Sequence, residues 1–494
     1  VKSFCKKPVA VARQDFHNRP MDNDGLKLIA PRIMPVLDPQ FRPAVLAGRA
    51  FKAEVRDSGA SVPVRLALEQ SDGSVFHFVT QIFSDRDPRA IGNFTYLERL
   101  VKFLLWSRGG FRIHFAGPAP LAGRLQNHFR DTATGRFDSN LVGERVYDHA
   151  IEVIHVDAGK IPAERVRTRS LGRHLDGCRI GFDLGGSDRK VAAVRDGQVL
   201  FSEETVWDPY PQRDPQYHFD GVMDSLRKAA AHLPRVDAIG GSAAGVYVNS
   251  RVKVASLFRG VPADVFNRRV KEMFFEIQKA WNGVPIEVVN DGEVTALAGS
   301  MALGKNAVLG LAFGTSVAAG YVTRDGNITS WLNELAFAPV DYHPAAARDE
   351  WSGDYGCGVQ YFSQQAVARL LPSAGISVDP KTPLPEQLRH VQELMAKEDD
   401  RARKIYQTIG AYLGYAVAHF SDFYDFDHVL VLGRVISGRG GDVMIQNAQE
   451  VLRAEFPELA KRIAFHVPDE KDKRHGQAMA AASLPEIPKK SLGV

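Results

Sequence analysis

Two stretches of this chain share a pattern that few folds accommodate: strand, glycine-rich turn, strand, tight turn, strand. The first reads RIGFDLGGSDRKVAAVRDGQVLF over 179–201, and the second reads AVLGLAFGTSVAAGYVTRDGNIT over 307–329. Arg179 to Phe182 suit a buried strand, while Asp196-Gly197 and Asp325-Gly326 are dipeptides that close hairpins. At the first turn of each copy stand Gly185-Gly186 and Gly314-Thr315-Ser316. Residues without side-chain bulk leave backbone N–H groups open to close approach by an anion such as phosphate. One supersecondary unit used twice, each time with such a turn, predicts a phosphate cradle between two α/β lobes.

Between the copies, the hydrophobic pattern predicts helices over Phe219–His232 and Val265–Trp281. It also predicts a strand with a glycine-rich end in VDAIGGSAAG (236–245) and the strand PIEVVND (285–291). Strands ending in Gly, Asn or Asp argue for ligands beyond their carboxyl ends. After the second copy come helical segments over Gln360–Leu371, Pro385–Lys397 and Arg401–Phe420. The buried strand Val429–Leu432 then runs into a long glycine loop, followed by an Ala-rich helix near His475–Ala482 and a loosely tied IPKKSLGV tail.

At roughly 150 residues per domain, 494 residues suggest about three compact units. A composition of 45% hydrophobic and 24% charged residues supplies several cores and excludes wholesale disorder or a coiled coil. The 62 basic residues nearly cancel against 58 acidic ones, for a net charge of +4, so no general nucleic-acid surface is indicated. Cys5, Cys178 and Cys357 are too few and too scattered for a disulfide framework or a CxxC metal knuckle, which points to a reducing compartment. VKSFCKKPVAVARQDF at the start lacks the apolar core of a signal peptide, and no run approaches the ~18 apolar residues of a membrane span. The chain reads as soluble and cytoplasmic, with no membrane partner.

The first 175 residues hint at the same order of elements. VRDSGASVPVRLALEQSDGSVF (55–76) has a strand, a glycine turn and an Asp-Gly hairpin, and a helix over Tyr96–Trp106 precedes FRIHFAGP (111–118). AIEVIHVD (150–157) echoes PIEVVND. Residues 40–160 are therefore expected to be either a degenerate copy of the lobe at 176–305 or an α/β segment alike by chance. Lys160–His174 (KIPAERVRTRSLGRH) reads as the charged connection between domains.

Four motifs in fixed order carry a family resemblance. DLGGSDRK (183–190), VVNDGEVTALAGS (288–300), LAFGTSVAAG (311–320) and VLVLGRVISGRGG (429–441) resemble the first phosphate loop, catalytic segment, second phosphate loop and adenosine loop of the ROK sugar kinases. These belong to the superfamily of actin, the heat-shock chaperone ATPases and hexokinase. The resemblance implies two ribonuclease H-like lobes, 176–305 and 306–494, closing over a sugar and ATP after an additional α/β domain at 1–175. It places Asp183 at a magnesium ion, held through water, with Gly185, Gly186, Ser187, Lys190, Gly314, Thr315 and Ser316 around the phosphates. Gly433, Arg434, Gly438, Gly440 and Gly441 fall in the adenosine loop. Asn290, Glu334, Gly241 and Ser242 fall on the sugar side, and Asp291 becomes the base that accepts the proton of the attacking hydroxyl. A neutral alcohol is a weak nucleophile, which is why the chemistry needs such a carboxylate. Read locally, Asn290 or Asp291 before EVTALAGSMAL is also what helix capping alone selects.

The chain departs from the family in two places. The family histidine after Glu334 has no counterpart, because Ala336, Phe337 and Ala338 fill that stretch. The cysteine-rich zinc element is reduced to Cys357 within WSGDYGCGVQ (351–360), so no structural zinc is expected. The resemblance implies an ATP- and magnesium-dependent kinase for a hydroxyl of a sugar or sugar derivative, as a monomer or homodimer. The rival reading is a sugar-binding regulator that keeps the fold without turnover.

Overall fold

A computed structural model describes residues 25–165, 171–468 and 470–488. Cys5, residues 166–170 of the charged connection and most of the IPKKSLGV tail lie outside the described residues. Among the described residues no helix is long and apolar enough to cross a membrane.

The first repeat folds as β5 (Cys178–Leu184), β6 (Asp188–Arg195) and β7 (Gln198–Val206), an antiparallel meander. Its second turn is tight because Asp196 and Gly197 both adopt positive φ, 48° and 79°. Strands β8 (Ala238–Ala243) and β11 (Ile286–Asn290) add in parallel to give the order β11-β8-β5-β6-β7. Between them a small hairpin, β9 (Val246–Val248) and β10 (Arg251–Val254), projects from the carboxyl end of β8. The helix expected over Val265–Trp281 is broken into Ala263–Val265, a wide turn over Phe266–Val270, and Met273–Ala280.

The second repeat forms β12 (Val308–Phe313) and β13 (Val317–Val322), joined in parallel by β14 (His428–Leu432) and β15 (Ala464–His466). The sheet order β13-β12-β14-β15 repeats the first lobe without its third strand. That strand survives only as the bridge Val322↔Ile328. The chain leaves the sheet there because Trp331 and Asn333 pack against the amino-terminal domain, where Asn333 N–H donates to the Ser107 carbonyl at 3.1 Å.

Two helices tie the lobes together. Helix Asp291–Leu303, which follows β11 of the first lobe, lies on β12 and β13 of the second. The terminal helix Glu470–Ala482 returns from the second lobe to lie across β5 and β8. Gly181 and Gly240 are glycines for that reason: a Cβ on either would stand 1.7 Å from a backbone oxygen of this helix. Both obstacles are main chain, so neither can move aside. Gly181→Ala is expected to destabilise the protein by at least the ~1–3 kcal/mol of an overpacked core, read as a lowered urea midpoint.

The amino-terminal region builds its own sheet from β1 (Ser61–Glu69), β2 (Val75–Phe83), β3 (Arg112–Ala116) and β4 (Glu152–His155), in the order β2-β1-β3-β4. Helices α1 (Ala44–Asp57) and α2 (Asn93–Arg108) pack on it. Of the two expectations this leaves likeness by chance, because β1, the strand before the Asp72-Gly73 hairpin, pairs directly with β3, whereas its counterpart β6 is separated from β8 by β5. Residues 55–57 end a helix rather than a strand, and Gly59 (φ 68°) follows that helix end instead of forming a phosphate turn. The domain shares a core with the second lobe, in which Phe41, Trp106 and Tyr147 sit among Leu335, Tyr361 and Tyr412.

Candidate active site

At the end of β5, Asp183 is paired in register with Ser242 of β8, whose hydroxyl donates to Asp183 Oδ1 at 2.5 Å. Asp183 is buried, and desolvation, only partly offset by Ser242 and Lys190, raises its pKa. Lys190 of β6 reaches back to Asp188 at 3.1 Å and to Asp183 at 3.9 Å. Among the described residues no hydrogen bond reaches Oδ2 of Asp183, which lies 3.9 Å from the Lys190 ammonium. A single carboxylate oxygen beside a glycine turn would fit a magnesium ion that completes its shell with water and other oxygens. The expectation that Gly241 and Ser242 contact the sugar is corrected here. Ser242 has no exposed surface and spends its hydroxyl on Asp183, and Gly241 sits where a Cβ would strike the Phe182 ring at 2.2 Å.

The two glycine turns have the same construction. Gly185 N–H donates to the Asp188 carbonyl at 2.9 Å, and Gly314 N–H donates to the Ser316 carbonyl at 2.9 Å. Ser187 and Thr315 at their tips are exposed. Gly314 has open space where a Cβ would stand, as a turn facing a ligand requires, whereas a Cβ on Gly186 would meet the Tyr210 hydroxyl at 1.9 Å. Gly186 is thus dictated by packing. Beyond β14, Gly433 (φ 103°) lies against the Phe313 carbonyl, which sets the start of the segment expected at the adenosine beside the second turn. Arg434 is exposed, and its carbonyl accepts from Gln392 Nε2 at 2.8 Å. Gly440 and Gly441 lie inside helix Arg439–Glu455, pressed on the Tyr406 ring and the Ile436 carbonyl, so they pack a helix and are no part of a nucleotide loop.

Asn290 ends β11 and caps the next helix: its Oδ1 accepts from Gly292 N–H at 2.7 Å, while Nδ2 donates to the Gly245 carbonyl at 2.6 Å. The capping reading therefore belongs to Asn290, and Asp291 opens the helix with its carboxylate partly exposed. Gly320 of β13 is a glycine because the backbone of Gly292 and Glu293 lies against it, which fixes Asp291 relative to the second turn. Desolvation by the surrounding protein, helped by the nearby Asp183 charge, pushes Asp291 up to about 6.

Glu334 lies on the segment after β13, its own N–H held by the Trp106 carbonyl of α2 at 2.9 Å. Desolvation and then the Asp291 charge push its carboxyl up to about 7. Two residues that the sequence did not single out join them. Glu293, one helical step beyond Asp291, is buried against Asn333 (3.3 Å) and is pushed up to about 8, chiefly by desolvation and further by Glu334. Tyr247 of β9 has a buried hydroxyl with no hydrogen-bond partner, and the Asp291 charge acts on it. The spacing Asp291-x-Glu293 was visible in sequence, whereas Tyr247 carried no signal. The result is a set of carboxyl groups near Asp291 with no paired cation among the described residues, suited to hydrogen bonds and proton exchange with a polyhydroxylated ligand.

Where a histidine and a zinc element were expected to be missing, the chain does something else. Phe337 packs on Trp106 with centroids 4.3 Å apart and the rings tilted by 31°. Asp354 accepts Lys102 at 2.8 Å and Arg99 at 3.1 Å, all three buried. Burial alone would raise the Asp354 pKa, but the two cations hold it well below the usual carboxylate range. Burial pushes the neighbouring Cys357 thiol up to about 12, so it is inert as a nucleophile at neutral pH.

No family model matches the sequence, and no curated protein matches it significantly. Solved structures do match. A ROK family transcriptional regulator, homologous to the E. coli MLC protein, aligns with a TM-score of 0.50 at 19% identity, covering 63% of this chain and 79% of that one. The ROK hexokinase of Thermus thermophilus aligns at 0.49 and 17% identity, covering 62% and 96%. The ROK glucokinase of Streptomyces griseus, solved with glucose and AMPPNP, aligns at 0.43 and 19%, covering 62% and 98%. At such identities the likeness is one of fold: about 63% of the chain shares the fold of that ROK regulator, and the rest is additional sequence.

Proposed function

We propose that the protein transfers the γ-phosphoryl group of ATP to a hydroxyl of a sugar or sugar derivative, with residues 176–305 and 306–494 as the two lobes and 1–175 as an added domain. The observation that carries this reading is Asp291: a carboxylate at a strand end, partly accessible, unpaired, and pushed up to about 6 by burial and Asp183. A base of that pKa is ionised at neutral pH yet basic enough to accept a hydroxyl proton as the new O–P bond forms. Asp183 would hold a hydrated magnesium ion, which neutralises phosphate charge when bound. The turns at Gly185–Ser187 and Gly314–Ser316 would line the phosphates, with Lys190 adding a positive charge. Gly433 and Arg434 would border the adenosine. Asn290 keeps one amide hydrogen beyond its bond to Gly245, and Glu334 has a carboxylate free of side-chain hydrogen bonds to the described residues, so both suit sugar hydroxyls.

Phosphoryl transfer depends mainly on positioning and charge neutralisation, which these parts provide. A magnesium-ATP turnover screen over hexoses, amino sugars and polyols tests the reading, and at least one acceptor should be phosphorylated. The second reading, a sugar-responsive regulator, draws on Phe337 packing against Trp106 in the stretch where the family carries a histidine. Sugar binding without turnover for any donor and acceptor would favour it.

A further inference from the structure

Glu334 is placed without help from its own side chain. It is repelled by Asp291 and by the adjacent Glu293, so something else must keep it in the site. That support is main chain. The last carbonyls of a helix have no partners within it, and at the end of α2 they are used to hold this segment. Trp106 O accepts from Glu334 N–H at 2.9 Å, and Ser107 O accepts from Asn333 N–H at 3.1 Å. The α2 end is itself immobilised. Trp106 Nε1 donates to buried Asp138 at 2.9 Å and its ring packs against Phe337, while the Arg108 guanidinium lies 3.6 Å from the Trp331 ring centre.

The same domain reaches the opposite wall of the site. Asn290 is tied to the Gly245 carbonyl, and Gly245 opens the β9–β10 hairpin that carries Tyr247. Lys253 of that hairpin, nearly buried, ends on Asp148 Oδ2 at 2.5 Å, and Lys271 reaches Asp148 Oδ1 at 3.2 Å. Desolvation works against the ionised Asp148, yet the bonds from Lys253 and Lys271 prevail and lower its pKa. Val246, Val248 and Val254 pack on the core that contains Trp106 and Tyr147.

We propose that the amino-terminal domain is the scaffold of the acceptor site, α2 positioning Glu334 through Trp106 and Asp148 positioning the β9–β10 hairpin behind Asn290. This rests on the sugar-binding reading of Glu334 and Asn290. These are positioning residues, since neither Trp106 nor Asp148 touches the reacting atoms. Two variants of the full chain test it. Trp106→Phe keeps an aromatic ring against Phe337 but loses the bond to Asp138. Asp148→Asn removes the charge facing Lys253 at a position with φ 63°, a conformation that asparagine tolerates.

Hydrogen exchange should show faster exchange over 331–338 in the first variant and over 246–254 in the second. Both variants should melt below the wild type, since each leaves a buried group without its partner, yet remain folded at the assay temperature. Sugar Kd and sugar KM should rise by about tenfold or more, within the range a misplaced group costs, with the KM for ATP unchanged. Loosened segments with unaltered sugar affinity would overturn the scaffold role, and so would unaltered exchange. Failure of the sugar-binding reading itself shows separately, as a wild-type protein that binds no sugar in the panel, and it would remove the role assigned here.

Discussion

Asp291→Asn should lower kcat by at least about 10²-fold, the usual contribution of a positioned general base. The amide has almost the same volume and cannot take a proton from the acceptor hydroxyl at neutral pH. Helix capping is not at stake, because the cap is the Asn290 side chain bonded to Gly292 N–H at 2.7 Å. Replacing a half-buried charge near Asp183 and Glu334 also relieves repulsion, so the melting temperature should not fall. The wild type should show the matching pH dependence. The base works only when ionised, so kcat should be sustained above about pH 6 and decline as pH drops through the Asp291 pKa, printed in the profile as an acidic limb. An Asn variant with near-normal kcat, correctly folded, would remove Asp291 from the chemistry.

The second large effect concerns stability. Lys102 is buried, with its ammonium 3.0 Å from both oxygens of Asp138 and 2.8 Å from Asp354. Lys102→Met keeps much of the side-chain volume and leaves Asp138 without its cation and Asp354 with Arg99 alone. Breaking a buried pair from one side costs about 3–5 kcal/mol, because an uncompensated charge stays behind. Urea denaturation should show a loss of that size, and adding Asp138→Asn should recover part of it. A change below about 1 kcal/mol would mean that water reaches the network and replaces the ammonium.

The paired repeats were legible in sequence because they rest on local chemistry. Asp196-Gly197 turns a hairpin wherever two strands flank it, and apolar runs such as Val429–Leu432 are buried in any α/β sheet. The same holds for the carboxylates, since Asp183 and Asp291 stand at strand ends as the motifs required. Sequence went astray where a residue serves two purposes that look alike in one dimension. Gly440 and Gly441 resemble a nucleotide loop and are instead a helix pressed on Tyr406 and Ile436. Ser242 resembles a ligand at a strand end and is instead a buried donor to Asp183. In the amino-terminal domain the order of helix and strands was readable, but not that β1 runs against β3, since strand direction leaves no mark on hydrophobic alternation.

The sequence alone determined the repeated strand-and-turn units, because turns and strand periodicity act over a few residues, while the two lobes and their central carboxylates were implied by the resemblance that the order of the four motifs carries. Only the tertiary structure decided how the amino-terminal domain joins the site. The bonds that do so link Trp106 to Glu334 and Asp148 to Lys253, residues more than a hundred positions apart. Their partners are chosen by burial and charge once the chain has collapsed: an unpaired helix end must find donors, and a buried ammonium must find a carboxylate.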